Sequence, residues 1–238
     1  MIVSISSTAT SNLGDLVSRP ALYFDLPVTR HIDVREPQPD ADLYIVGGGA
    51  VQRRAYRAPA ILWGTGWTKR KPADRPLPGR PENVVLWGRR DYGQPGATWV
   101  PCASCMSPLF DREYAIQHPA VLYMNNRPDT PYRTLERPPI YDLPTQHNGV
   151  TFEEAVAFLG SGETIVTNSY HGAYWGTLLG RRVVIVNPYS SKFLHFRHQP
   201  AIARNWRTAR PRTYPDALGE CREANRAFYA AVGRHLTD

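Results

Sequence analysis

The sequence predicts an α/β fold with parallel sheets. Short apolar runs recur with glycine close behind them, helical patterns alternate with such runs in the second half, and Glu163 to Val186 holds a complete strand–turn–helix–strand unit. Runs of four or five apolar residues bounded by turn residues are the signature of strands buried on both faces. Glycines at their ends let the chain turn sharply into loops that can face a ligand.

In chain order, strands are expected at Ile2–Ser6, Leu22–Asp25, Leu43–Val46, Ala60–Trp63, Val84–Trp87, Val121–Met124, Thr164–Thr167 and Val183–Val186. Three helices are expected. The segment Thr151–Phe158 has Thr151 as N-cap and Glu153 and Glu154 in its first turn, where the helix dipole favours acids. Tyr170–Leu179 follows a strand directly, and Asp216–Leu236 is amphipathic, with Leu218, Phe228, Val232 and Leu236 among its apolar positions. Prolines cluster at Pro72–Pro81 and Pro128–Pro144, which read as extended loops. Composition and pattern change between residues 118 and 145, so the lobe boundary is placed there, dividing the chain into 1–118 and 119–238.

A chain of 238 residues with 42% hydrophobic and 21% charged residues fits one large domain or two compact lobes and excludes disorder, collagen and coiled coil. No apolar run reaches the eighteen or so residues of a membrane helix, and the first residues lack the pattern of a secretory signal, so a soluble, cytoplasmic protein is expected. The three cysteines fit a reducing compartment. The formal charge of +7 is spread without a dense basic run, which favours small phosphates or carboxylates over nucleic acid as partners. Only three lysines stand against twenty-five arginines, which singles out Lys192 as the lone lysine of the C-terminal half.

The candidate site centres on the Thr167–Gly172 turn. Asn168, Ser169, Tyr170 and His171 fall between a strand's carboxyl end and a helix start, where open α/β sheets bind ligands and helix N–H groups attract anions. His171 is placed to give a hydrogen bond or a proton to such an anion; the alternative is a histidine that caps or packs at the helix start. Gly172 and Gly176 leave a bare stripe that permits close approach to the sheet or a ligand. A second candidate is Gly47-Gly48-Gly49 after the Leu43–Val46 strand, which can expose backbone N–H groups or simply form a tight turn; it matches neither a dinucleotide fingerprint nor a P-loop. Arg89 and Arg90 sit at another strand tip and can clamp an anion or stand as a solvated pair. Asn12 and Asp15 form a polar loop after the first strand. The Cys102-Ala-Ser-Cys105 pair lacks the partners of a zinc site and reads as structural, and no motif calls for a metal or other cofactor.

In this order, Asn12-Leu-Gly-Asp15, Asp42 to Gly49, Trp63-Gly-Thr-Gly66, Gly88-Arg-Arg-Asp91, Cys102-Ala-Ser-Cys105 and Thr167-Asn-Ser-Tyr-His-Gly172, followed by Leu179-Gly-Arg-Arg-Val-Val-Ile185, the chain resembles the polysaccharide pyruvyltransferase family. The resemblance runs from about residue 11 to 193. It implies two Rossmann-like lobes in a compact version of the GT-B glycosyltransferase fold, the N-terminal lobe on the acceptor side and the C-terminal lobe on the donor side. The implied reaction moves a pyruvyl group from phosphoenolpyruvate onto two sugar hydroxyls of a glycan, or of a nucleotide- or lipid-linked sugar, as a ketal, in polysaccharide or exopolysaccharide biosynthesis. By that route His171 is the acid or phosphate donor, Arg89 or Arg90 a substrate clamp and Lys192 a further anion contact, while Asp15 and Gly47–Gly49 face the acceptor. Many members carry Arg two positions before the histidine; here that position is Ser169, so Arg90 or Lys192 would supply the missing cation.

Two other readings are set beside it. A GT-B-like glycosyltransferase would place a nucleotide-sugar diphosphate in the same crevice and stack its base on Trp63, Trp87 or Tyr170. A non-catalytic protein binding glycan or nucleic acid would keep the scaffold without turnover.

Overall fold

The computed structural model describes residues 1–52, 55–68, 79–125 and 142–236. Much of both proline-rich stretches lies outside these residues. The chain is α/β with two parallel sheets, of six and five strands.

In the first sheet the strands are β1 (Ile2–Ser6), β2 (Arg30–Asp33), β3 (Leu43–Gly47), β4 (Ala55–Thr65), β5 (Glu82–Arg89) and β6 (Thr98–Trp99). They pair in parallel in the order β2-β1-β3-β4-β5-β6. The chain runs outward from β1 to β2 and then returns to the other side of β1, so the strand order reverses between β1 and β3. The four-residue helix α1 (Leu13–Leu16) follows β1.

β7 (His118–Met124), β8 (Thr145–His147), β9 (Gly162–Thr167), β10 (Arg182–Ile185) and β11 (Ala201–Ile202) make the second sheet, in parallel order β11-β10-β9-β7-β8. Its reversal falls between β7 and β9. Helices α2 (Phe152–Ser161) and α3 (Tyr170–Leu178) belong to this sheet, and α4 (Ala217–Leu236) ends the described chain.

Helices α2, α3 and α4 form where expected, for local reasons, whereas the short α1 falls where a polar loop was expected. Thr151 Oγ1 accepts from the Glu154 N–H at 3.3 Å while the Glu154 carboxylate accepts from the Thr151 N–H at 2.8 Å, so α2 opens on a complete capping box. The expected strand at Leu22–Asp25 is instead a turn: Pro20 starts a single 3-10 turn through Leu22. Its apolar character comes from Phe24, whose ring packs 4.8 Å from Trp63 and 4.9 Å from Tyr229.

The described residues up to Met106, together with Gly219 to the end of α4, form one compact unit, and Ser107–Leu218 form the other. This division differs from the one expected at residue 118. The C-terminal helix completes the core of the first unit, where Phe228 and Val232 bury against Leu43, Ile61, Trp63 and Val100. Asn225, fully buried, accepts from Trp63 Nε1 at 2.8 Å and donates to the carbonyls of Cys221 and Pro101. The opposite face of that sheet buries Val3, Ile5, Tyr44, Val46 and Leu62. In the second unit Leu122, Met124, Val166, Val184 and Val186 form one core face, and α3 packs on the other, where a Cβ on Gly176 would fall 2.4 Å from Ile165 Cδ1. No helix of the described residues is long and apolar enough to cross a membrane.

Asp33, buried at the end of β2, holds the loop after β1. Its Oδ2 accepts from the N–H groups of Thr8 and Ala9 at 2.7 and 2.8 Å, and its Oδ1 accepts from Arg35 Nε at 2.8 Å. The Arg35 contact, helped by the backbone donors, keeps the carboxyl far below the ordinary aspartate range despite the opposing effect of burial. A lowered carboxyl stabilises the fold above the usual aspartate pKa, and that contribution fades as pH falls toward the folded-state value. Asp33→Asn is therefore expected to lower the melting temperature at pH 7 and to flatten its decline between about pH 4 and pH 2. Thermal melts of both proteins across that range check this, and parallel acid limbs would refute it.

Candidate functional site

All strands in each sheet point the same way, so each sheet gathers its loops at one edge, and the reversal of strand order leaves a crevice there. In the second unit this crevice lies past β7 and β9 and is built from asparagines. Asn125 immediately follows β7, Asn148 follows β8, and Asn168 follows β9. The Asn168 Oδ1 accepts from the Asn125 N–H at 2.9 Å, Asn148 Nδ2 donates to Asn125 Oδ1 at 3.2 Å, and Asn125 Nδ2 donates to the Tyr189 hydroxyl at 2.8 Å. Lys192 Nζ donates to the same hydroxyl at 3.1 Å. All three asparagines are buried, and the Asn168 Nδ2 has no hydrogen-bond partner among the described residues. A buried amide donor without a partner costs about 1–3 kcal/mol, which a bound acceptor would recover.

Helix α3 starts beside this network. Thr167 Oγ1 donates to the Tyr123 carbonyl at 2.5 Å and accepts from the Ser169 N–H at 2.9 Å, and Ser169 Oγ, the N-cap, accepts from the Gly172 N–H at 3.3 Å. Gly172 has no room for a side chain, because a Cβ would lie 2.6 Å from Thr167 Oγ1 and 2.7 Å from Tyr123 Cδ1. The glycine stripe of α3 thus serves contact with the sheet. It presses the helix start onto the ends of β7 and β9.

His171 occupies the first turn of α3 and is buried, with its ring 5.2 Å from Trp175 and 5.4 Å from Tyr170. Trp175 in turn meets Phe152 of α2 at 4.9 Å. The histidine stands in an aromatic enclosure, largely shielded from solvent. The Tyr123 hydroxyl is also buried, without a hydrogen-bond partner among the described residues, and burial pushes its pKa up. Tyr170 stacks on Phe196 at 4.6 Å and 14°, which fixes the outer wall of the helix start. Lys192 lies over the rings of Tyr189 and Phe193, at 4.9 and 5.2 Å. The structure therefore links Lys192 to Asn168 through Tyr189 and Asn125.

The remaining sequence-predicted residues lie in the first unit. At its crevice, past β1 and β3, Asn12 Nδ2 donates to Asp15 Oδ2 at 2.8 Å, and a Cβ on Gly49 would fall 3.2 Å from Asp15 Oδ1. The other two glycines of the triplet answer to packing: a Cβ on Gly47 would strike Pro20 Cδ and one on Gly48 would strike Ser18 Oγ, each at 2.1 Å. Gly48 and Gly49 both hold positive φ. Arg90, buried, lies across Gly66, where a Cβ would come within 2.2 Å of Nε. Its charge lowers the Cys102 thiol pKa less than burial raises it, so that thiol stays protonated and is a poor nucleophile. Arg89 is fully buried and ion-paired with Asp91, so the solvated doublet does not describe it.

The three cysteines are free and buried. Among the described residues no cluster of three or more His, Cys, Asp or Glu side chains could hold a metal ion. Asn125, Asn148 and Tyr189 were not singled out from sequence, although the signal existed: asparagine directly follows β7, β8 and β9, and Asn187 comes two residues after β10.

Comparison of the chain with known protein families, with curated proteins and with solved structures finds no match.

The tight seat of α3 has a direct test. Gly172→Val would force the helix start off Tyr123 and Thr167, and is expected to cost about 1–3 kcal/mol of stability and to shift the His171 ring. Denaturant unfolding measures the first effect and the His171 imidazole NMR signals the second. An unchanged spectrum with unchanged stability would refute the tight seat.

Proposed function

We propose that the chain is a pyruvyltransferase that takes phosphoenolpyruvate as donor and forms a ketal on two hydroxyls of a sugar, in the assembly of a polysaccharide. The observation that carries this reading is the start of α3. A helix N-terminus, a buried asparagine with an unused donor and a histidine in an aromatic enclosure meet at the carboxyl edge of one sheet. The ordered motifs that resemble the pyruvyltransferase family support the donor and acceptor.

In this reading the donor's phosphate and carboxylate are held at the α3 start by helix N–H groups, the Ser169 hydroxyl and Asn168 Nδ2. Lys192, joined to the same network through Tyr189, adds positive charge in place of the arginine absent at position 169. Protonated His171 gives its proton to the vinyl carbon, which becomes the methyl group, and C2 becomes an oxocarbenium-like centre. One sugar hydroxyl adds to C2 and returns its proton to His171. Phosphate then leaves, the second hydroxyl closes the ketal, and its proton departs with the phosphate. The surrounding Trp175, Phe152 and Tyr170 rings keep water from the cationic centre.

The nucleotide-sugar reading finds less support. Trp63, Trp87 and Tyr170, its proposed stacking platforms, are all buried.

His171→Gln keeps most of the side-chain volume against Trp175 and removes the acid. Loss of a general acid is expected to lower the rate of phosphate release from phosphoenolpyruvate in the presence of acceptor sugars by about 10²–10⁴-fold. Circular dichroism melts accompany the assay, so that a folded, inactive variant supports the assignment, and a folded variant with wild-type turnover sinks it.

A further inference from the structure

A second hollow lies on the same edge of the second unit, over the ends of β10 and β11. It is an open hollow of about 450 Å³, lined by Asn187, Pro188, Tyr189, Ile202, Ala203 and Arg204. That volume falls within the range of small-molecule sites. Its floor is fixed by the Ala203 N–H, which donates to the Ile185 carbonyl at 3.1 Å. One wall begins at Asn187, which sits at φ 47°, one of two non-glycine residues with positive φ among those described. Asparagine tolerates that conformation better than most residues, yet such backbone is uncommon and clusters at ligand clamps. The turn it makes carries Pro188 and Tyr189 into the lining.

Tyr189 is a rigid wall, because its hydroxyl is held from two sides, by Asn125 Nδ2 and Lys192 Nζ. The lining thus offers the rings of Tyr189, over which Lys192 also lies, and Pro188, with one amide, one guanidinium and no carboxylate among its residues. Ring faces suit the C–H surface of a sugar, the amide suits hydroxyls, and a guanidinium suits phosphate, which it can bind through two parallel hydrogen bonds.

We propose that this hollow is a binding site for a phosphorylated sugar, with the phosphate on Arg204 and the sugar ring against Tyr189 and Pro188. The assignment does not rest on pyruvyl transfer at α3. The ligand is either a free sugar phosphate or a sugar joined to a nucleoside diphosphate, and both present the same phosphate and ring to these residues.

The test is isothermal titration of the full chain with glucose 1-phosphate, UDP-glucose, inorganic phosphate and glucose. Wild type, Arg204→Ala, Ala203→Trp and His171→Gln are compared, each with a thermal melt. Arg204 is exposed, so its truncation leaves the fold intact. The expected result is binding of one or both phosphorylated sugars, weakened about tenfold or more in Arg204→Ala, blocked in Ala203→Trp, and unchanged in His171→Gln. Preference for glucose 1-phosphate or for UDP-glucose identifies which source the site takes. Absence of binding by both would overturn the proposal, as would equal affinity for inorganic phosphate alone, or affinity that survives in Arg204→Ala and is lost in His171→Gln. Because turnover at His171 is measured separately, failure here leaves the reading of α3 standing, and failure there leaves this site standing.

Discussion

The parallel direction of every strand is the constraint on which the rest of this protein depends. Parallel neighbours cannot be joined by tight turns, so all the strands of a sheet end at one edge, and the backbone groups just past those ends must find partners outside the ladder. In the second unit the partners are amides. An asparagine side chain both donates and accepts, so Asn125, Asn148 and Asn168 bond to one another and to the adjoining backbone, leaving Asn168 Nδ2 unused, and they tie β7, β8 and β9 into one rim. Tyr189 and Lys192 extend that rim past β10.

The first unit meets the same requirement with charge. Asp33 fills the amides after β1, Asp15 is bound by Asn12, and Arg89 is balanced by Asp91 inside the protein. Asp33 and the Arg89–Asp91 pair are buried, and such charges keep their place only while each is paired. The two edges therefore differ in chemistry although they share a topology: the first carries carboxylates and arginines, the other a neutral polar lattice with a lysine beside it.

Strands that lie inside a sheet were legible in the sequence, because each holds a run of buried, mostly apolar residues. The interior strands β1, β3, β4, β5, β7, β9 and β10 were all anticipated. The four that were not, β2, β6, β8 and β11, are the four sheet edges. They are short or polar, as Arg30–Asp33 and Thr145–His147 illustrate, and pairing rather than composition defines them. The reverse error at Leu22–Asp25 has a related cause, since apolar residues there serve a turn that packs on Trp63. At the candidate site the local corner from Asn168 to Gly172 was visible because it is contiguous. Asn125 was not, because its partners Asn168 and Tyr189 lie 43 and 64 positions away. The Arg89-Arg90 doublet looked like a surface feature, and only the structure shows that Arg89 points into a core.

The return of α4 to the first unit has a consequence for the order in which the molecule can be made. Among the described residues the second unit is drawn from Ser107–Leu218 alone, whereas the first lacks part of its core until the last helix is present. Trp63 and Asn225, which share a buried hydrogen bond, stand 162 positions apart. A chain emerging from the ribosome exposes the apolar surface of Leu43, Ile61 and Trp63 throughout synthesis of the whole second unit, in a period when such surface is prone to wrong association. The later-made unit is thus the one free to fold first, and the N-terminal sheet must wait for its closing helix.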